Sequence, residues 1–303
     1  MVLTSLTLTL TGCHIFHEDG SRSSDIRVMT FNIRNGLAKD GKNHWHHRKQ
    51  FVCDIIHQYS PDILGVQEAF RFQMDEFNQR LPEYEEVGTG RDGGTKGEYS
   101  AILYRRQRFD LHDSGTFWLS DTPTEPSAHW GNHYLRICTW ARLTDKQSAQ
   151  SFYVFNTHLD HQSQKAREKG VQLIMEYISN RTHNDPFVLT GDFNAGEDNP
   201  VIKYLKGSVK LMDSTPIPVV DSFRVLHPDT KIVGTGNRFQ GRSNGAKIDY
   251  IFTTKETQAI ETAIIRTNRE GRYPSDHFPV TAQLRFKFDF PAIEEAVSEC
   301  LKK

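Results

Sequence analysis

Cysteine is scarce, with four in 303 residues at positions 13, 53, 138 and 300, and no Cys-x-x-Cys pair occurs. That excludes a disulfide-stapled scaffold, a zinc ribbon and a thioredoxin-like centre. No run of about 18 apolar residues occurs, which excludes a transmembrane helix. Neither sign of charge dominates. Lys and Arg number 37 against 38 Asp and Glu, a formal net charge of −1, so a basic coat for nucleic acid is excluded while a local basic patch is not. Low-complexity tracts and repeats of about 20–50 residues are also missing. What remains, 37% hydrophobic and 25% charged residues, is the composition of a folded globular chain with one or two domains at about 150 residues each.

The first residues carry a separate signal. Val2 to Thr11 is apolar or hydroxylated throughout and leads into Leu10-Thr11-Gly12-Cys13. The run suits the apolar core of a secretory leader, and the tetrapeptide resembles a bacterial lipobox, whose cysteine is acylated. Residues 1–25 are therefore expected to be a leader and tether with Cys13 as lipidation site. That implies an exported periplasmic or cell-surface lipoprotein that meets the membrane only through its anchor. No basic segment precedes the apolar run, and an ordinary first strand ending in a glycine turn would read the same way. Cys53 and Cys138 fall in a helix-like and a strand-like segment and are expected to be buried thiols.

From residue 26 to the end the pattern is that of one α/β domain. Ile26–Arg34 and Ile63–Val66 are strand-like and enclose a helical face of Phe51, Ile55, Ile56 and Tyr59. A second helical face (Phe70, Met74, Phe77, Leu81) and strand-like runs at Ser100–Tyr104 and Phe109–Phe117 follow. The pattern then restarts with strands Ile137–Leu143 and Ser151–Thr157, a helical face of Ala166, Leu173, Ile174 and Tyr177, and strand Pro186–Thr190. Strands Ile248–Thr253, Ala259–Arg266 and Thr281–Phe288 and a short helix from Pro291 complete it. Two halves of this kind without a linker predict two sheets packed face to face with helices outside.

Polar residues cluster just beyond the apolar strands, where ligands bind in α/β folds. Asn32 and Glu68 end two strands joined through a helix, which should be parallel, and together they form a hard-oxygen site suited to Mg²⁺ rather than Zn²⁺. Singly, each reads equally well as a turn residue or a helix-start carboxylate. Asn156, His158 and Asp160 alternate, so an extended chain points them to one face. Asp192 and Asn194 follow Gly191, which is expected to turn the backbone and leave space for a ligand. Asp249 enters an apolar strand, where an unpaired carboxylate is unfavourable. His277 in Ser275-Asp276-His277-Phe278-Pro279-Val280 is its natural partner, the carboxylate fixing the imidazole tautomer.

Taken in order, Phe31-Asn32-Ile33-Arg34, Gln67-Glu68, Asn156-Thr157-His158-Leu159-Asp160, Gly191-Asp192-Phe193-Asn194, Ile248-Asp249-Tyr250-Ile251 and Ser275 to Val280 resemble the motif set of the endonuclease/exonuclease/phosphatase superfamily, the deoxyribonuclease I-like fold. The resemblance runs from residue 26 to about 288. It implies a four-layer α/β sandwich and Mg²⁺- or Mn²⁺-dependent hydrolysis of a phosphodiester by in-line attack of water. It further implies metal coordination by Asn32 and Glu68 with Asp276 nearby, and alignment of the water by Asp192 with His158 assisting. Asn194 would hold a phosphate oxygen and Asp249 would orient a protonated His277. Glu98 is matched as the carboxylate partner of His158.

The substrate is the least legible feature, because fold does not decide it. A nuclease-like phosphodiesterase is the leading expectation. A phosphoesterase acting on a phospholipid head group, inositol phosphate or sugar phosphate is the alternative, and a non-catalytic surface-binding protein a third. Arg91, Lys96, Arg105, Arg106, Arg238, Arg242 and Lys247 are candidates to line a phosphate groove. Trp45, in the loop after the first strand, and Trp118 are candidates to stack on a base or sugar. A monomer is expected.

Overall fold

The computed structural model describes residues 25–211 and 217–286. Cys13, the leader and tether, and the helix expected from Pro291 lie outside these residues. The strands are β1 (Asp25–Asn32), β2 (Ile63–Ala69), β3 (Tyr84–Val87), β4 (Tyr99–Arg105), β5 (Phe109–Trp118), β6 (Ile137–Asp145), β7 (Gln150–His158), β8 (Phe187–Asp192), β9 (Val220–Asp221), β10 (Asp249–Thr253), β11 (Gln258–Ile264) and β12 (Val280–Arg285). The α-helices are α1 (Trp45–Tyr59), α2 (Arg71–Arg80), α3 (Gln164–Ser179), α4 (Pro200–Leu205) and α5 (Ser222–Leu226).

The strands form two six-stranded sheets, ordered β11-β12-β1-β2-β4-β3 and β5-β6-β7-β8-β10-β9. Each sheet has one parallel pair joined by a crossover helix, β1-α1-β2 and β7-α3-β8, and its other pairings are antiparallel. This is the restart visible in the sequence. Strand alternation then sorts the core into three sheets of contact. Val28, Ile63, Ile102, Phe152, Val154, Val188, Ile251 and Val280 fill the space between the sheets. Met29, Phe31, Leu64 and Val66 face outward onto α1 and α2, and Phe155, Phe187, Leu189 and Phe252 face outward onto α3 and α4. Burial on both faces is why these strands read as continuous apolar runs. The result is the expected four-layer sandwich. Cys53 in α1 and Cys138 in β6 are buried free thiols.

Toward the C-terminal ends of the central strands the inter-sheet contact changes from apolar to polar. Gln67 Nε2 donates to Thr30 Oγ1 (3.0 Å) and across the sheets to Asn156 Oδ1 (2.7 Å). Thr190 Oγ1 donates to the same oxygen, and Asn156 Nδ2 donates to the carbonyls of Val66 and Ala101. Buried polar groups are tolerated where they satisfy one another, as all the named atoms here do; Gln67 Oε1 alone in this network has no partner among the described residues. Gly65 is what lets them meet, since a Cβ there would lie 2.5 Å from Thr190 Oγ1 and 2.7 Å from Asn156 Oδ1. Gly65→Ala is expected to destabilise the fold by about 1–3 kcal/mol, as overpacking does. Urea unfolding checks this, and an unchanged midpoint would contradict it.

Several details depart from expectation. Trp45 is not in a loop but opens α1, 2% exposed, its ring edge-on to Phe77 and its Nε1 donating to Glu76. Gly191 (φ +152°) leaves no room for a ligand, because a Cβ there would meet the Thr157 carbonyl oxygen at 2.3 Å. It is required by the close approach of β7. The two-residue β9 and five-residue α5 have no counterpart in the sequence reading, being too short for any period to register.

Candidate active site

Strand register lines up the reacting groups. In parallel β7–β8 His158 is opposite Asp192, and in antiparallel β8–β10 Asp192 is opposite Asp249. The other sheet delivers Asn32 at the end of β1 and Glu68 on a bulge of β2 against β4. Glu68, Arg34 and Asn194 are non-glycine residues at φ 62°, 63° and 47°. Left-handed backbone of this kind is costly and gathers at functional sites. Here all three residues line one cleft of about 450 Å³, together with Asn35, Arg91, Glu98, Tyr134, Arg136, His158, His161, Asp192, Asp276 and His277.

Asn32 joins the sheets at this cleft. Its Nδ2 donates to Glu68 Oε1 and to Asp192 Oδ2, both at 3.0 Å, while its Oδ1 accepts from the Arg34 N–H. Asn32 and Glu68 thus converge, but it is the amide nitrogen rather than the oxygen that faces the carboxylates. Asp192 also accepts from the Asn194 N–H (2.9 Å), and Asn194 Nδ2 donates to the Leu159 carbonyl. His277 Nδ1 donates to Asp249 Oδ2 at 2.9 Å, and its Nε2 lies 3.8 Å from Asp192 Oδ2. His158 Nε2 is 3.5 Å from the same oxygen. Asp276 lies 3.5 Å from Arg34, and the Ser275 hydroxyl donates to the Asn32 carbonyl, tying the two loops together.

Electrostatics divide these groups by role. Burial, and then the adjacent Asp249, push the Asp192 carboxyl up to about 7. Burial opposes charge on His277, but Asp249 and Asp192 outweigh it and hold the imidazole protonated well above its usual range. Burial and the nearby Arg136 guanidinium keep His158 neutral. Burial raises Asp276 and Glu98, whereas in Glu68 burial is overcome by the Asn32 amide, His277 and the Asn35 N–H, so this carboxyl is held below its ordinary value.

Buried carboxylates crowded in this way fit a hard dication. Asp192, Asp249 and His277 bring ligand atoms within 4.8 Å of one another. Asp249 and His277 are already hydrogen-bonded as a carboxylate–imidazolium couple, however, which leaves Glu68, Asp192 and Asp276 as the carboxylates available to a cation, while the expected Asn32 oxygen is turned to the Arg34 N–H instead.

Other expected members are placed differently. Glu98 lines the cleft but partners Arg91 (2.6 Å) and the Asn35 amide, not His158. Asn156 shares the inward face of β7 with His158, whereas Asp160 lies beyond the end of the strand, and neither lines the cleft. Asn156 belongs to the inter-sheet network, and Asp160 accepts the backbone N–H groups of His133, Gln162 and Ser163. Trp118 is buried beneath the rim, its Nε1 donating to the Arg91 carbonyl, and Trp45 and Arg242 do not line the cleft. Of the seven basic residues proposed for a groove, only Arg91 lines it. Lys247 is buried against Asp221, Arg105 and Arg106 hydrogen-bond near the opposite strand ends, and Arg238 and Arg242 are exposed on a loop. Arg34, Asn35, Tyr134, Arg136 and His161 were missed. Arg34 and Asn35 adjoin Asn32 in the sequence and could have been found there, whereas Tyr134 and Arg136 lie in a long loop with no periodic signal.

Residues 29–277 match the profile of the Endonuclease/Exonuclease/phosphatase family. Among solved structures, an endonuclease/exonuclease/phosphatase family protein from Bacteroides thetaiotaomicron superposes with a TM-score of 0.79 at 31% identity, covering 88% of this chain and 100% of that one. A mannosyl-6-phosphatase from the same organism superposes with a TM-score of 0.75 at 33% identity, covering 86% and 99%. Mouse nocturnin is 24% identical over 308 residues, covering 91% of this chain and 67% of that protein.

Proposed function

Because this chain belongs to the Endonuclease/Exonuclease/phosphatase family, we propose that it is a divalent-metal-dependent hydrolase of phosphate esters whose substrate is a small phosphorylated molecule. The observation that carries the chemistry is the buried Asp192 carboxyl held between neutral His158 and the Asp249–His277 couple. A carboxyl near neutrality is suited to orient a water and accept its proton. The protonated His277 supplies a fixed positive donor toward a phosphate oxygen. Donors already in place where negative charge develops stabilise the transition state more than the ground state. A divalent cation, when bound among Glu68, Asp192 and Asp276, supplies further neutralisation of charge at phosphorus.

Substrate size follows from the surroundings of the cleft. Nucleic-acid grooves are lined by repeated cationic contacts to successive phosphates, and here the three arginines that line the cavity, Arg34, Arg91 and Arg136, each face a carboxylate, Asp40, Glu98 and Asp160 respectively. A compact phosphoester therefore fits better than a strand. Similarity to a mannosyl-6-phosphatase over most of both chains supports a phosphorylated sugar. The experiment is inorganic phosphate release, with Mg²⁺, from sugar phosphates compared with nuclease assays on single- and double-stranded oligonucleotides. Turnover of the sugar phosphates with negligible strand cleavage is expected, and efficient strand cleavage alone would overturn the small-substrate assignment.

A further inference from the structure

One wall of the cleft takes no part in the chemistry described above. It is lined by Tyr134 and Arg136, in the loop between β5 and β6, and by His161, just after β7, with His133 packed against Tyr134. Tyr134 is 46% exposed yet firmly placed. The Arg91 guanidinium lies 4.6 Å from its ring centre, the His161 ring stacks at 6.1 Å and 20°, and the His133 ring meets it edge-on at 4.4 Å. Arg136 is buried, with Nη2 3.1 Å from His161 Nδ1 and Nε 3.7 Å from Asp160 Oδ2. Among the described residues its Nε–H has no hydrogen-bond acceptor. Asp160 in turn accepts the His133 N–H, so one buried carboxylate fixes both ends of the wall.

The charge of this wall is balanced. Arg91 has Glu98, Arg136 has Asp160, and burial together with Arg136 favours the neutral form of His161. A second phosphate would meet Glu98 and Asp160 along with the arginines. A neutral ring bearing several hydroxyls would meet donors, acceptors and an aromatic edge, which is the mixture such a group recognises. We infer that Tyr134, His161 and Arg136 form the recognition site for the alcohol portion of the substrate, and that this portion is an uncharged polyhydroxylated ring, a hexose carrying its phosphate into the Asp192 centre. The inference rests on the small-substrate phosphohydrolase reading and assigns its specificity to named residues.

The test compares kcat/KM for mannose 6-phosphate and glucose 6-phosphate with that for p-nitrophenyl phosphate, whose leaving group offers no hydroxyls. Wild type, Tyr134→Ala, Tyr134→Phe and His161→Ala are measured with Mg²⁺, with circular dichroism to establish that each is folded. Sites built to bond a hydroxyl discriminate strongly against analogues that lack it. The wild type should prefer the better hexose phosphate by about ten-fold or more, and Tyr134→Ala and His161→Ala should lower that preference by about ten-fold, chiefly through KM. Tyr134→Phe keeps the ring and covers the case in which the alanine variant fails to fold. A preference that stays within about threefold of wild type in every folded variant overturns the inference, and any larger fall supports it. A wild type that cleaves p-nitrophenyl phosphate but neither hexose phosphate also overturns it while leaving phosphoester hydrolysis intact. A wild type that cleaves no phosphate ester defeats the underlying function instead.

Discussion

Asp192→Asn should lower kcat by about 1,000-fold, within the range for removing a positioned acid–base group, while leaving the fold intact. Asp192 is 1% exposed and sits beside Asp249, so its charge is disfavoured in the protein without metal. The asparagine relieves that repulsion but weakens acceptance from Asn32 Nδ2 or the Asn194 N–H. These effects oppose one another, so the thermal midpoint without added metal should not fall by more than a few degrees from wild type. The asparagine can orient a water but cannot take its proton. Steady-state kinetics on a hexose phosphate and p-nitrophenyl phosphate, together with a melting curve, check both halves. A loss below ten-fold would show that Asp192 is not the acceptor. A collapsed midpoint would show that it is structural.

His277→Ala should cost about 100- to 1,000-fold in kcat, the scale seen on deleting a preorganised donor to developing negative charge. It also strands the buried Asp249 carboxylate, so some destabilisation accompanies the loss. Asp249→Asn separates the two effects. Asp249 is the foremost group raising the His277 pKa against the opposing effect of burial, and a neutral amide in its place lets the imidazolium lose its proton at lower pH. The alkaline limb of the kcat profile should therefore move to lower pH, with activity partly retained on the acid side. An unmoved limb in a folded Asp249→Asn protein would remove His277 from the role of charged donor.

The sequence was most legible where one local pattern determined geometry. Period-2 placement and a parallel crossover were enough to bring Asn32, Glu68, His158 and Asp192 to one edge, and a carboxylate in an apolar strand was enough to demand His277 as its partner. It was least legible where long-range packing chose between partners. Glu98 turned to Arg91 because the loop after β3 brings that guanidinium to 2.6 Å, a distance no spacing encodes. Trp45 and Trp118 are apolar enough for either a core or a binding face, and the core took both. Lys247, a basic residue beside a catalytic motif, is neutralised by a buried partner 26 residues earlier. The wall of Tyr134, Arg136 and His161 was invisible because its residues come from two loops that meet only through long-range contacts, with Asp160 and His161 on one side and His133, Tyr134 and Arg136 on the other.

The most direct measurement is phosphate release from a hexose phosphate or p-nitrophenyl phosphate by the purified full chain, first in excess EDTA and then after restoring Mg²⁺ or Mn²⁺. The carboxyls that Glu68, Asp192 and Asp276 present to one cleft predict loss of nearly all turnover in EDTA and its return with the cation. Full turnover in EDTA would contradict a metal-dependent phosphoester hydrolase at this cleft.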